Sequence, residues 1–198
     1  MCGFCGYVNF ENNIENEKTI TNMTDMLRKR GPNAENIYIN NNVALGHTRL
    51  SIIDVKYGNQ PMTINYNNVN YTIVYNGELY NTEILRKNLI EKGYTFNTKC
   101  DTEVVLISYI EYGKDSIKHL NGIFAFAIYN DKTNDIFLGR DRLGIKPLFY
   151  FLNENTLVFA SEIKALLKHP EITPVLSKEG LMELFGVRAS TYTGYYIL

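Results

Sequence analysis

The amino-terminal stretch MCGFCG, residues 1–6, begins a segment that reads as a buried strand over residues 2–10, with glycines that permit close packing. Met1 alone precedes Cys2 in this sequence. An initiator methionine before a small residue is normally removed, so we expect Cys2 to become the first residue. A terminal cysteine carries a thiol, which is a strong nucleophile when ionised, and an α-amine with a reference pKa of about 7.7–8.0. One residue then supplies both a nucleophile and a general base, which suits it to hydrolysis.

Two other interpretations of the amino terminus remain open on these residues alone. Cys2 is either a reactive residue or a cysteine that merely lies near a chain end. With Cys5 it forms a CxxC pair, a spacing found in metal and redox sites, but a structural zinc site needs four ligands. The other candidate ligands lack ligand spacing: Cys100, His47, His119 and His169. We therefore predict no metal, and we predict that Cys5 is a small packing residue on the first strand.

Composition limits the functional class. The chain has 198 residues, is 45% hydrophobic and 21% charged, and has a net charge of -1. It is long and apolar enough for a real core, and without a basic stripe it is not expected to bind nucleic acid. No apolar run approaches the length of a membrane span, and no signal peptide precedes the first strand. We predict a cytoplasmic protein without a membrane partner.

Hydrophobic periodicity and turn residues predict many strands with helices in two or three blocks. The predicted helices cover residues 17–30, 82–92, about 101–112, 162–169 and 178–185. The predicted strands after the first cover residues 36–39, 43–50, 71–75, 123–129, 136–140, 148–151 and 157–160. This order favours an α+β fold of stacked antiparallel sheets covered by helices. A doubly wound parallel sheet is disfavoured because strict β-α alternation is absent.

Polar residues beside these strands are candidates for a site around Cys2. Asn76-Gly77 offers a side-chain amide and a backbone N–H to an oxyanion, or else forms an ordinary type I′ turn at a strand end. Arg49 ends an apolar strand, where it binds a substrate carboxylate or forms a structural ion pair. Asp101 caps a helix or pairs with a substrate ammonium group, and Glu78 is a second candidate for that pairing.

These residues belong to a series of ordered motifs that resembles one family. The motifs are MCGFCG (1–6), RGP (30–32), GHTRLSI (46–52), GNQPM (58–62), YNGELYN (75–81), DTEV (101–104), LNGIFAFA (120–127), GRDRLGIKPL (139–148) and FASEIKAL (159–166). The series is similar to the glutaminase domain of glutamine-hydrolysing asparagine synthetase, a class II glutamine amidotransferase. The resemblance covers about residues 1–185 and leaves 186–198 as a linker or tail. It implies a four-layer αββα sandwich, the N-terminal nucleophile hydrolase fold.

The resemblance also implies a role for each site residue. Cys2 is the expected nucleophile with its α-amine as the base, and Asn76 and Gly77 the expected oxyanion hole. The glutamine-binding set that it implies is Arg49 for the α-carboxylate, Asp101 with Glu78 for the α-ammonium, and main-chain groups near Ile52 and Ile53. Two departures from the family pattern, NAEN at 33–36 and Cys100 in place of a serine, touch none of the proposed catalytic groups. For residues 140–146 we favour a structural hairpin and domain contact over anion binding.

The expected activity is hydrolysis of L-glutamine to glutamate and ammonia through a cysteine thioester, without a cofactor in this domain. ATP and Mg²⁺ are expected only in a synthetase domain, absent here, that would follow in cis and amidate aspartate. The aromatic tail favours self-association, so a homodimer is an expected assembly. Two alternatives are a related amidotransferase with another acceptor and a non-catalytic glutamine-binding module.

Overall fold

A computed structural model describes residues 1–11, 14, 16–50 and 58–175 of the chain. The strands within them are β1 (Gly3–Asn9), β2 (Ala34–Asn40), β3 (Val43–Arg49), β4 (Met62–Tyr66), β5 (Val69–Leu79), β6 (Gly122–Asn130), β7 (Asp135–Arg140), β8 (Phe149–Leu152) and β9 (Thr156–Ala160). The helices are α1 (Lys18–Asp25), α2 (Thr82–Glu91), α3 (Asp101–Tyr112), a 3₁₀ helix (Gly113–Lys118) and α4 (Ile163–Leu166). One sheet has the order β2-β3-β1-β9-β8, the other β4-β5-β6-β7, and the neighbouring strands of both are antiparallel.

Successive residues of a strand point to opposite faces of its sheet. Because apolar residues occur on both faces, one face of each sheet packs against the other sheet. Phe4, Val74 and Phe159 belong to the core between the sheets. The opposite face of the first sheet packs against α1 and α4, and that of the second sheet against α2 and α3. The predicted α+β sandwich of two antiparallel sheets between helices is therefore confirmed, and the doubly wound alternative is excluded.

Two helix predictions were too long. α1 ends at Asp25 instead of continuing to residue 30, because the chain then forms tight turns. One of them is closed by the hydrogen bond from Leu27 N to Thr24 O (2.8 Å). The carbonyl of Leu27 accepts a hydrogen bond from the Thr48 hydroxyl at 3.1 Å, which ties these turns to β3. α4 is a short helix followed by turns. The helix predicted over 178–185 lies outside the described residues, as does the tail.

β5 is longer than predicted and determines the geometry of the site. It begins after a turn in which Asn67 and Asn68 both have positive φ, as in a type I′ hairpin. It then pairs with β6 as far as Leu79 opposite Gly122. Asn76 and Gly77 lie inside this pairing, so the alternative of a type I′ turn at a strand end was wrong. The long apolar strand β6 supplies pairing partners that outweigh the local Asn-Gly turn preference. No helix in the described part of the chain is long and apolar enough to cross a membrane.

Candidate active site

A cleft of about 150 Å³ opens where β1 begins, β3 ends, β5 passes and α3 begins. It is lined by Cys2, Arg49, Leu50, Gly58, Gln60, Tyr75, Gly77, Glu78, Cys100, Asp101 and Thr102. The structure therefore brings together five of the candidate residues that the sequence predicts, from β3, β5, α3 and the residue that precedes β1. A sixth, Asn76, is their neighbour in β5. Ile52 and Ile53 lie outside the described residues.

Cys2, which lines the cleft, is held by contacts of both its side chain and its carbonyl. Its Sγ is 3.4 Å from the N–H of Leu50, which donates to it, and 3.7 Å from the carbonyl oxygen of the same residue. The Arg30 guanidinium donates from Nε to the Cys2 carbonyl at 2.9 Å. Arg30 in turn pairs with Glu162 at 3.0 Å. The thiol is partly exposed and therefore accessible from the cleft.

The side-chain amide of Asn76 is a buried donor that has no partner among the described residues. Asn76 is 3% exposed, and its Nδ2 makes no hydrogen bond to any residue that the structure describes. Leaving a buried donor unsatisfied costs about 1–3 kcal/mol, so native proteins seldom retain one without a reason. A negatively charged oxygen bound in the cleft is the kind of group that this donor lacks.

The backbone N–H of Gly77 faces the cleft because of its place in β5. The N–H of Tyr75 donates to Gln60 Oε1 (2.6 Å) and that of Leu79 to Asp101 Oδ2 (3.1 Å), both away from β6. Since alternate N–H groups of an antiparallel strand point to the same side, the N–H of Gly77 points to that edge too. A Cβ on Gly77 would meet the Tyr75 hydroxyl and the Ile123 carbonyl at 2.7 Å, so close packing requires glycine here.

Charged groups of opposite sign line the same cleft. Arg49 is 5% exposed at the end of β3, and its Nη1 donates to Asn59 Oδ1 at 3.0 Å. Asp101 is the first residue of α3, and Glu78 is an exposed residue of β5. A cation and two carboxylates in one cleft match the two charges of a free α-amino acid.

Asp101 does not cap α3, so that alternative was wrong. Cys100 occupies the N-cap position, and no side chain bonds there. The Asp101 carboxylate instead accepts hydrogen bonds from the Tyr75 hydroxyl at 2.8 Å and from Leu79 N. Burial raises the pKa of Asp101, and these hydrogen bonds act in the opposite direction. The pKa of Tyr75 is raised well above its usual value, mainly by burial and next by the negative charge of Asp101. The tyrosine therefore remains a neutral donor.

Gln60 is a structural member of the site that sequence reasoning missed. β4 pairs with β5 only as far as Met62 opposite Ile73, and the same register would place residue 60 opposite Tyr75. The Gln60 side chain continues the sheet there, because Oε1 accepts from Tyr75 N while Nε2 donates to the Thr102 hydroxyl at 3.2 Å. The one available signal was its place in the GNQPM motif.

His47 supports the same strand from the first sheet. Its Nε2 lies 3.2 Å from the carbonyl oxygen of Tyr75, so it ties β3 to β5 across the core. Burial lowers the pKa of His47 to about 4, with the hydrogen bond to Tyr75 opposing and the charge of Arg49 assisting. The imidazole is therefore neutral at physiological pH.

Cys5 packs away from the cleft. It is fully buried against α1, with its Sγ 3.5 Å from the Thr24 hydroxyl, and burial raises its pKa to about 12. Cys2 lines the cleft instead, so the two thiols lie on different faces of the sheet. Cys5 is thus a packing residue on the first strand, as predicted. All three cysteines are free, and the described residues contain no cluster of three metal-ligating side chains.

Comparison with known proteins is consistent with this geometry. Residues 1–196 match the family model described as a glutamine amidotransferase domain. The chain is 49% identical over 195 residues to glutamine-hydrolysing asparagine synthetase 3 of Bacillus subtilis, covering 98% of this chain and 32% of that protein. It is 42% identical to asparagine synthetase 1 of the same organism, covering 84% of this chain and 27% of that protein. It thus spans about a third or less of these relatives.

A solved structure shows the same fold. Glutamine phosphoribosylpyrophosphate amidotransferase from B. subtilis superposes with a TM-score of 0.70 at 24% sequence identity, over 83% of this chain and 43% of that one. At this identity the likeness concerns the fold alone. It confirms the predicted amidotransferase sandwich.

Proposed function

Since the chain belongs to the glutamine amidotransferase domain family, we propose that it hydrolyses L-glutamine to glutamate and ammonia in the cleft at Cys2. The observation that carries this proposal is the unsatisfied amide of Asn76 beside the cleft that holds Cys2, Arg49 and Asp101. The cleft offers a nucleophile, oxyanion donors and a matched pair of charges for an amino acid.

In the proposed mechanism the Cys2 thiol attacks the side-chain carbonyl of glutamine. The Asn76 amide and the Gly77 N–H donate to the oxyanion, a contribution of about 2.7–4 kcal/mol for one such donor. Arg49 binds the α-carboxylate, and Asp101 with Glu78 binds the α-ammonium group. The leaving nitrogen takes a proton and departs as ammonia, and water then hydrolyses the glutamyl thioester to release glutamate.

The base in both steps is the α-amine that Cys2 gains when Met1 is removed. Met1 is 56% exposed, which suits its removal, and until then the Cys2 nitrogen is an amide that accepts no proton. The half-reaction draws on no cofactor. Because the relatives are named as glutamine-hydrolysing asparagine synthetases, we propose aspartate as the acceptor of the ammonia in a longer protein with an ATP- and Mg²⁺-dependent synthetase domain. Cytoplasmic location and a homodimer stay predictions.

Substitution of Cys2 tests the proposal. Cys2→Ala should abolish glutamate release while retaining glutamine binding in calorimetry, because the charged groups that hold the amino acid remain. Cys5→Ala is the matched control and should retain turnover, since its thiol is buried on the other face. Intact mass of each sample reports whether Met1 has been removed. Turnover by Cys2→Ala, or a folded wild-type chain with a free terminal Cys2 and no glutaminase activity, would overturn the proposal.

A further inference from the structure

Lys146 is a buried lysine that has no anionic partner among the described residues. It is 8% exposed, and its Nζ contacts the Sδ atom of Met1 at 3.2 Å. None of the ion pairs in the described part of the chain includes it. A thioether is only a weak acceptor, and a buried charge is costly unless it is paired. The side chain is thus buried at a cost that its contacts do not offset.

The backbone of Lys146 is fixed from both sides. Its N–H donates to Asp141 Oδ2 at 3.0 Å, and the N–H of Ile145 donates to Asp141 Oδ1 at 2.9 Å. Its carbonyl accepts from Arg140 Nε at 2.8 Å, and the same guanidinium donates to Gly144 O at 2.7 Å. Asp141 also accepts from Phe124 N at 3.2 Å, so the bonds of Arg140 and Asp141 fix this segment and attach it to β6, as the structural interpretation of residues 140–146 predicts. The same backbone hydrogen bonds orient the Lys146 side chain toward Met1.

Removal of Met1 takes away the atom that Lys146 contacts. The Met1 side chain and carbonyl that join Sδ to the Cys2 nitrogen span at most about 6 Å, so Nζ lies within about 9 Å of that nitrogen. After removal the nitrogen is a primary amine that still lies within about 9 Å of the ammonium group. In the proposed function this amine is the group that must accept a proton.

We propose that Lys146 is a positioning residue for catalysis, whose positive charge keeps the terminal amine of Cys2 in its uncharged, proton-accepting form. The inference rests on the proposed glutaminase function, which makes that amine the base. A nearby cation disfavours a second positive charge, so the amine becomes a base at lower pH than it would otherwise.

The other charged groups around the amino terminus stay in place when Lys146 is substituted. Arg30, from the turns after α1, donates to the Cys2 carbonyl and pairs with Glu162. Glu162 also pairs with Lys164 at 2.6 Å, so this cluster keeps a net positive charge that acts in the same direction as Lys146. From the cleft side, the charged groups are Arg49 of β3, Glu78 of β5 and Asp101 of α3. These cleft groups include both signs, and in the proposed function they serve the substrate.

The test compares kcat/KM for glutamine between about pH 5.5 and 9.5 in wild type and Lys146→Gln. At an effective dielectric constant of about 20, a unit charge within about 9 Å shifts the acidic limb of the profile by roughly one pH unit. Lys146→Gln should therefore lose about tenfold at low pH and converge with wild type at high pH. Lys146→Arg should retain the wild-type profile. Lys118→Gln, which removes a surface lysine paired with Asp115, is the matched control and should change nothing.

A second measurement does not depend on turnover. In a Cys2→Ala background, acetic anhydride labels the terminal amine, and peptide mass reports the labelling rate. The pH at which this rate rises should be about one unit higher when Lys146→Gln is added. An unchanged profile in both measurements, or a loss of activity by the same factor at every pH, overturns the role of Lys146 in an active enzyme. A folded, processed wild type without any activity would instead refute the proposed function.

Discussion

Asn76→Ala separates a catalytic role of the side-chain amide from a structural one. The Nδ2 atom makes no hydrogen bond within the described structure, so its removal breaks no hydrogen bond in that part of the chain. Relief of an unsatisfied donor is worth about 1–3 kcal/mol and offsets the small cavity that alanine leaves. We therefore expect the free energy of unfolding to change by less than about 1 kcal/mol. Loss of an oxyanion donor costs about 2.7–4 kcal/mol of transition-state stabilisation, which lowers kcat roughly 10²–10³-fold.

The assay measures glutamate release together with urea denaturation of the same protein. Asn81→Ala is the matched control, since its side chain donates to His119 O at 2.9 Å and accepts from Asn121 N at 3.0 Å. That variant should lose about 1 kcal/mol of stability and keep its kcat. The reasoning is refuted if Asn76→Ala lowers kcat less than about tenfold, or if it destabilises the fold more than Asn81→Ala does.

Two further predictions concern the groups that hold β5. In Tyr75→Phe, Asp101 loses a hydrogen bond that lowers its pKa. As the pH falls, the variant should therefore lose glutamine binding at a higher pH than wild type does. Calorimetric titrations that coincide at every pH would contradict this. The pKa of His47 is about 4 in the folded protein, below the reference value of 6.5, so the unfolded chain binds more protons. The free energy of unfolding should therefore fall by roughly 3 kcal/mol as the pH drops from about 6.5 to 4. His47→Gln should flatten that dependence in urea titrations, and an equal slope in both proteins would show that His47 is not its source.

The sequence predicts elements well where local pattern and tertiary pairing agree. α3 runs over the predicted residues because Gly113, with φ of 58°, ends it as its glycine suggests. The first strand, predicted over 2–10 as a buried strand, is likewise found at Gly3–Asn9. Asn76-Gly77 is the opposite case, since the turn preference of two residues is overcome by continuous pairing with β6.

The candidate site residues can be chosen from the sequence, but their contacts cannot. Cys2, Arg49 and Asp101 are recognisable from their motifs, and the fold does bring them to one cleft. That Asp101 accepts from Tyr75 instead of capping its helix depends on how α3 packs against the second sheet. The role of Gln60 depends on the register of β4 against β5. Neither the packing nor the register is encoded within a short window of sequence.

In the proposed mechanism, the open edge of β5 suits an oxyanion donor better than a turn would. Three N–H groups at alternate positions point to that edge, and the outer two, of Tyr75 and Leu79, are occupied by Gln60 and Asp101. Those two bonds fix the direction of the middle one, at Gly77, without any contribution from a ligand. Pairing with β6 fixes the strand on its other side, so in the proposed reaction this donor would need little reorganisation as charge develops on the substrate. A two-residue turn at the same place would leave that direction to local backbone torsions, and the binding energy of glutamine would have to order it.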